Sequence, residues 1–183
     1  MSDKIFEPEI SRSLRHMVKD LPDIKQSMAI ECKKVTGTSL PFTRVNDHQV
    51  EALINFEDRS FFQKMIVASS VGGTKSRFNL RSGFDFLACP KGRSYIFVNF
   101  RATKKQAGKD IPKGTNRCFV IGIYEYLQAR DQFLKEGRKS FPYSWFESNA
   151  IELERKRWEV DEGYEYGWDL LPIVNYTNNC YNN

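Results

Sequence analysis

The chain has 183 residues, 40% of them hydrophobic and 14% aromatic, with a formal net charge of +5. This composition supports a packed core, excludes an intrinsically disordered chain, and suits a single domain. No apolar run is long enough to cross a bilayer as a helix, and Met1-Ser2-Asp3-Lys4 lacks the apolar core of a signal peptide. Cys32, Cys89, Cys118 and Cys180 are scattered without metal-ligand spacing and there are two histidines, so no structural zinc site is expected. The expectation is a reduced, cytoplasmic protein without membrane association, bacterial or viral in origin, and in the host cytoplasm if phage-encoded.

In chain order, Ile10, Leu14, Met17, Val18 and Leu21 recur at helical spacing and predict an amphipathic helix over residues 9–20, ended by Pro22. Met28-Ala29-Ile30-Glu31-Cys32-Lys33-Lys34-Val35 reads as a strand. Residues 36–45 read as a loop with Gly37, Pro41 and several hydroxyls. Asn46 or Asp47 caps a following helix whose inner face holds Val50, Leu53 and Ile54. Residues 84–89 and 94–100 read as strands joined in a tight hairpin by Pro90-Lys91-Gly92-Arg93. Their alternating Phe84, Phe86, Tyr95, Phe97 and Phe100 read as core packing rather than a base-stacking platform. A Lys/Gly-rich excursion spans 102–116, a strand spans 117–123, and a helix runs from Tyr124 to Lys135 before a turn at Gly137-Arg138-Lys139-Ser140. Residues 145–158 are expected to be helical, with Ile151 to Trp158 a solvated charged face. Together the elements predict an α/β fold with a central mixed β-sheet flanked by helices.

Within the first strand, Glu31 and Lys33 are two residues apart and therefore share a face. An acid and a lysine side by side, with Asp23 close upstream, can form a divalent-metal site. The carboxylates of Asp23 and Glu31 suit a hard cation such as Mg2+, and the lysine can polarise a water or offset charge developing on a phosphate. The pattern acid-x-Lys also occurs at Asp23-Ile24-Lys25 and Glu154-Arg155-Lys156, so the triplet alone does not decide. The plainer reading of Glu31 and Lys33 is an ion pair on an edge strand, and that of Asp23 a turn residue after Pro22.

Charge is unevenly distributed. From Lys91 to Arg117 there are eight bases against Asp110, and from Glu147 to Asp169 eight acids against three bases. The basic stretch suits a polyanion, since each phosphate contact releases condensed counterions.

With this layout, the chain resembles the PD-(D/E)xK nuclease superfamily, and most of all the Holliday-junction resolvases of the RecU kind. Pro22-Asp23 and Glu31-Cys32-Lys33 match the superfamily motif. His48-Gln49 after a Ser/Thr/Pro loop, and the later Gly137-Arg138-Lys139-Ser140-Phe141-Pro142-Tyr143, match the resolvase-like features over residues 9–150. The resemblance implies a restriction-endonuclease-like core. It also implies that Asp23, Glu31 and the backbone carbonyl of Cys32 hold Mg2+, with Mn2+ as a substitute, that Lys33 assists the water, and that Gln49 positions water or phosphate. Glu9 on the first helix would complete the metal site, although an acid there also suits the helix dipole.

The function expected is metal-dependent hydrolysis of phosphodiester bonds at four-way DNA junctions by a homodimer. Contacts to branched double-stranded DNA would come from Lys34, Arg44, Arg101, Lys104, Lys105, Arg138 and Lys139. The alternatives are a restriction-like or replication-linked nuclease of mobile DNA with another target, and a DNA-binding protein without catalysis. The nuclease domain is expected over residues 1–160, with residues 161–183 a tail of uncertain structure.

Overall fold

A computed structural model describes residues 6–20, 28–58, 61–65, 85–89, 92–101, 111 and 114–174. Helix α1 (Phe6–Asp20) leads to strand β1 (Met28–Val35), then β2 (Ser39–Pro41), a single 3-10 turn (Phe42–Arg44) and helix α2 (Asp47–Asp58). Strands β3 (Phe61–Met65), β4 (Asp85–Cys89), β5 (Arg93–Arg101) and β6 (Asn116–Gly122) come next, followed by helix α3 (Ile123–Lys135). Strand β7 (Ser140–Pro142), helix α4 (Tyr143–Asn149), and strands β8 (Ile151–Leu153), β9 (Arg155–Val160) and β10 (Gly163–Trp168) complete the order.

The central sheet has four strands in the order β1-β5-β6-β8. β1 runs parallel to β5, while β6 is antiparallel to both β5 and β8. The sheet is therefore mixed, and helices flank it. β5 lies between two neighbours and is buried from Ser94 to Phe100, which accounts for its nearly continuous apolar sequence.

Side-chain alternation divides the core between the two faces of this sheet. Ile96, Val98, Phe100, Phe119 and Ile121 meet Val50 and Leu53 of α2, Tyr126 and Phe133 of α3, and Phe146 of α4. Tyr95, Phe97, Cys118 and Val120 meet Phe6, Ile10 and Met17 of α1, together with Trp168, Leu170 and Ile173. The aromatic residues Tyr95, Phe97 and Phe100 are core residues, as their alternation predicts. No helix among the described residues is long and apolar enough to cross a membrane.

Three local readings differ from the structure. The expected hairpin between residues 84–89 and 94–100 does not form: β4 pairs with β3, and β5 with β1 and β6. A turn-like tetrapeptide marks a change of direction but does not choose the strand's partner. The expected loop 36–45 contains β2, which pairs with the distant β7 from Ser39↔Pro142 to Pro41↔Ser140. The expected helix over 145–158 ends at Asn149, and Ile151 to Trp158 form β8 and β9. Glu, Arg and Lys favour helices in isolation, yet burial alternates along β9 and its ladder to β10 overrides propensity.

Residues 163–174, read as part of a tail, belong to the second core. β10 pairs with β9, Trp168 is fully buried, and a helical turn over 171–174 places Ile173 and Val174 beside it.

Candidate functional site

β1 presents Glu31 and Lys33 on the sheet face covered by α2, since Val35 and Ala29 of the same alternation pack into the core that contains Val50 and Leu53. α2 is anchored at its far end by Glu57. That carboxylate accepts a hydrogen bond from Arg93 Nη1 at 3.0 Å and one from the Ser94 backbone N–H at 2.9 Å. The near end is set by Asn46, whose carbonyl accepts from the N–H groups of Gln49 and Val50 at 2.9 and 3.1 Å. Gln49 Oε1 in turn accepts the Asn46 N–H at 3.1 Å. The Gln49 side chain, at the third helical position, thus reaches back to the N–H of the residue before the helix, as the third residue of a capping box does.

The same amide closes a ring with the two charged side chains. Lys33 Nζ lies 2.6 Å from Glu31 Oε1 and donates to Gln49 Oε1 at 3.0 Å, while Gln49 Nε2 donates to Glu31 Oε1 at 2.8 Å. The Lys33 side chain is only 8% exposed and that of Glu31 24%. Burial and three short contacts therefore hold the lysine ammonium, the carboxylate and the amide in one geometry. Both contacts to Glu31 use Oε1. Among the described residues, Oε2 has no hydrogen-bond partner, and Lys33 has one of its three donors uncommitted. A carboxylate oxygen left open beside a buried ammonium can accept a hard cation or a polarised water. Among the described residues, no three His, Cys, Asp or Glu side chains come together as a metal site. Glu31 is thus the acid that the described part of this site supplies.

The structure brings Glu31, Lys33 and Gln49 together. Asp23, Lys104 and Lys105 lie outside the described residues. Cys32 contributes its backbone to β1, while its side chain packs toward the opposite core. The carbonyl of Lys34 accepts a hydrogen bond from Arg44 Nη2 at 3.0 Å, so that the 3-10 turn is tied to the end of β1. The Arg138 guanidinium lies 4.7 Å from the centre of the Phe133 ring, and the Lys139 carbonyl accepts the Phe42 N–H.

Glu9 is not part of the ring. α1 covers the other face of the sheet, and the Glu9 carboxylate there accepts hydrogen bonds from Arg101 at 2.9 and 3.0 Å and from Arg155 at 2.9 and 3.0 Å. Trp168 Nε1 approaches it at 3.4 Å. Burial pushes the Glu9 carboxyl up, but Arg155 and then Arg101 outweigh it, leaving the group below its ordinary value. With both oxygens occupied by guanidinium groups, Glu9 serves a structural ion cluster, and Arg101 is committed to it as well.

Sequence reading missed two contributors. Asn46 was visible only as a possible cap, although Asn-x-x-Gln before an apolar run signals a capping box that fixes the Gln49 amide. Arg155 falls in the segment expected to be helical, and only the hairpin of β9 and β10 carries it to Glu9. The chain matches no known protein-family model and no curated protein sequence.

Proposed function

We propose that the chain is a metal-dependent DNA endonuclease that hydrolyses phosphodiester bonds, with four-way junctions as its target. The observation that supports this reading best is the closed Glu31–Lys33–Gln49 ring. It joins a buried lysine, a carboxylate whose second oxygen is open among the described residues, and an amide fixed by a helix cap.

In this reading Glu31, with Asp23 and the Cys32 carbonyl, would hold Mg2+. The ion would supply a bound water of lowered pKa and charge to offset that on the phosphate. Lys33 holds a fixed positive charge against the phosphate oxygens as negative charge develops in the displacement. Gln49 orients Lys33 and Glu31 relative to one another through bonds to both. A junction offers two symmetry-related strands, so a twofold homodimer carrying two such sites fits the substrate.

The test is a cleavage assay with fluorescent four-way junction, flap, linear duplex and single-stranded DNA, each with and without Mg2+. We expect nicking that needs the ion and favours the junction. Glu31→Gln, Lys33→Ala and Asp23→Asn should each lower the rate by about 10²–10⁴-fold with DNA binding retained. Full activity of Glu31→Gln would overturn the reading. Cleavage of linear duplex alone would instead favour a restriction-like enzyme.

A further inference from the structure

An open groove of about 590 Å3 adjoins the ring, lined by Phe42, Thr43, Asn46 and His48 on one side and by Arg130 and Leu134 of α3 on the other. Asn46 links the two places: it lines the groove, and its N–H donates to Gln49 Oε1 of the ring at 3.1 Å. The floor is apolar. Phe42 is half-buried and meets Phe141 edge-on at 4.8 Å, while Leu134 is 50% exposed although nothing polar in its side chain favours that.

Arg130 supplies the charge. Its Nε is buried and, among the described residues, makes no hydrogen bond, and the carboxylate beside it, Asp131, is 3.8 Å away and largely exposed. A pair at that distance and exposure is weak; the guanidinium also faces Tyr126, 6.0 Å from the ring centre, and with Nε buried an anion would meet its terminal Nη groups at the 22% of the side chain that is exposed. Arg44 closes the neighbouring 3-10 turn and Lys139 immediately precedes β7, where the Phe42 N–H bonds the Lys139 carbonyl. Asp47, at the start of α2, is the acid that lines the groove. An apolar floor with a few convergent polar groups suits an organic ligand, and an arginine over such a floor suits a nucleotide strand, base on the floor and phosphate on the cation.

We propose that this groove binds the DNA strand flanking the cleaved phosphate, with Arg130 on a backbone phosphate and Phe42 and Leu134 under the sugar and base. The inference rests on the nuclease reading and names where that substrate runs.

Fluorescence anisotropy in EDTA, where no cleavage occurs, would follow the full-length chain binding labelled oligothymidylate and a labelled four-way junction at several salt concentrations. Arg130→Gln should bind both probes roughly 5–10-fold more weakly and reduce the salt slope by about 0.7–0.9, the share of one phosphate contact. Leu134→Glu alters an exposed side chain and so leaves the fold intact; it should weaken binding to a similar degree. Wild-type affinity and slope in a folded Arg130→Gln together with wild-type affinity in Leu134→Glu would overturn the proposal, as would a wild-type chain that binds neither probe. If Arg130→Gln fails to fold, Leu134→Glu decides. Displacement of the probes by micromolar thymidine monophosphate would also overturn it, in favour of a mononucleotide pocket. Should both variants lose affinity while the wild-type chain cuts no DNA with Mg2+ or Mn2+, the nuclease reading fails and the groove stands as a DNA-binding site.

Discussion

Two carboxylates on opposite faces of one sheet have different fates because their neighbours differ. Among the described residues Glu31 keeps an oxygen open beside Lys33, whereas Glu9 is 4% exposed and saturated by Arg101 and Arg155. Removing the Glu9 charge would leave two guanidinium groups facing each other. Because their side chains are 22% and 34% exposed, solvent screens part of the penalty, and Glu9→Gln should cost about 2 kcal/mol at neutral pH. The pH dependence has a definite sign. The folded-state carboxyl is lowered, so its contribution is fully present above the ordinary glutamate value of about 4.3 and is lost as pH falls through the lower folded value. Urea unfolding followed from pH 7 to pH 3 should show the gap between wild type and Glu9→Gln closing below about pH 4. A constant gap would mean that the cost comes from packing and not from charge.

At the level of elements, the hairpin of β9 and β10 is fastened to α1 by close approach. A Cβ on Gly167 would overlap Ser13 Oγ and come within 2.8 Å of the Trp158 ring and 3.1 Å of the Glu9 carbonyl. The Ser13 hydroxyl donates to the Glu9 carbonyl at 2.8 Å and accepts the Trp168 N–H at 2.7 Å, so it cannot give way without breaking both bonds. His16 stacks on Trp158 with ring centres 4.5 Å apart and bonds Glu165 at 2.8 Å. Gly167→Val should therefore destabilise the fold by about 1–3 kcal/mol, read as a lower thermal midpoint, and an unchanged midpoint would show that the hairpin can lift from the helix. α1, β1, α2 and α3 were legible because their signals are local: helical periodicity, two-residue alternation and caps. β2, β7 and β8 were not, because strands of three residues exist only through partners such as Ser39↔Pro142, which are remote in sequence, and β9 was not, because its charged residues favour a helix in isolation.

For the whole molecule, the sheet needs both of its coverings. One core is closed by α2, α3 and α4; the other requires Trp168, Leu170, Ile173 and Val174, each no more than 5% exposed. Cutting the chain after residue 160 removes these and β10 together and would bare the face formed by Tyr95, Phe97 and Val120. Such an exposed apolar face is not sustained in water. The truncated chain should lose cooperative thermal unfolding by circular dichroism and bind a hydrophobic dye. A sharp transition near that of the full chain would show that residues 161–183 are dispensable. The same two-faced arrangement separates the Glu31–Lys33–Gln49 ring from the Glu9 cluster, which is why Glu9→Gln should change stability and leave the geometry of the ring intact.

Legible before any contact is known are the α/β class, the ends of β1 at Met28 and Val35, the shared face of Glu31 and Lys33, and the helix that carries Gln49. All of these follow from periodicity within a few residues. Long-range packing establishes that Gln49 reaches both charged partners, that Glu9 lies across the sheet bound to two arginines, and that the charged segment after Ala150 is strand. Those outcomes depend on which surfaces are buried together, and burial is set by contacts between residues as far apart as Glu9 and Arg155.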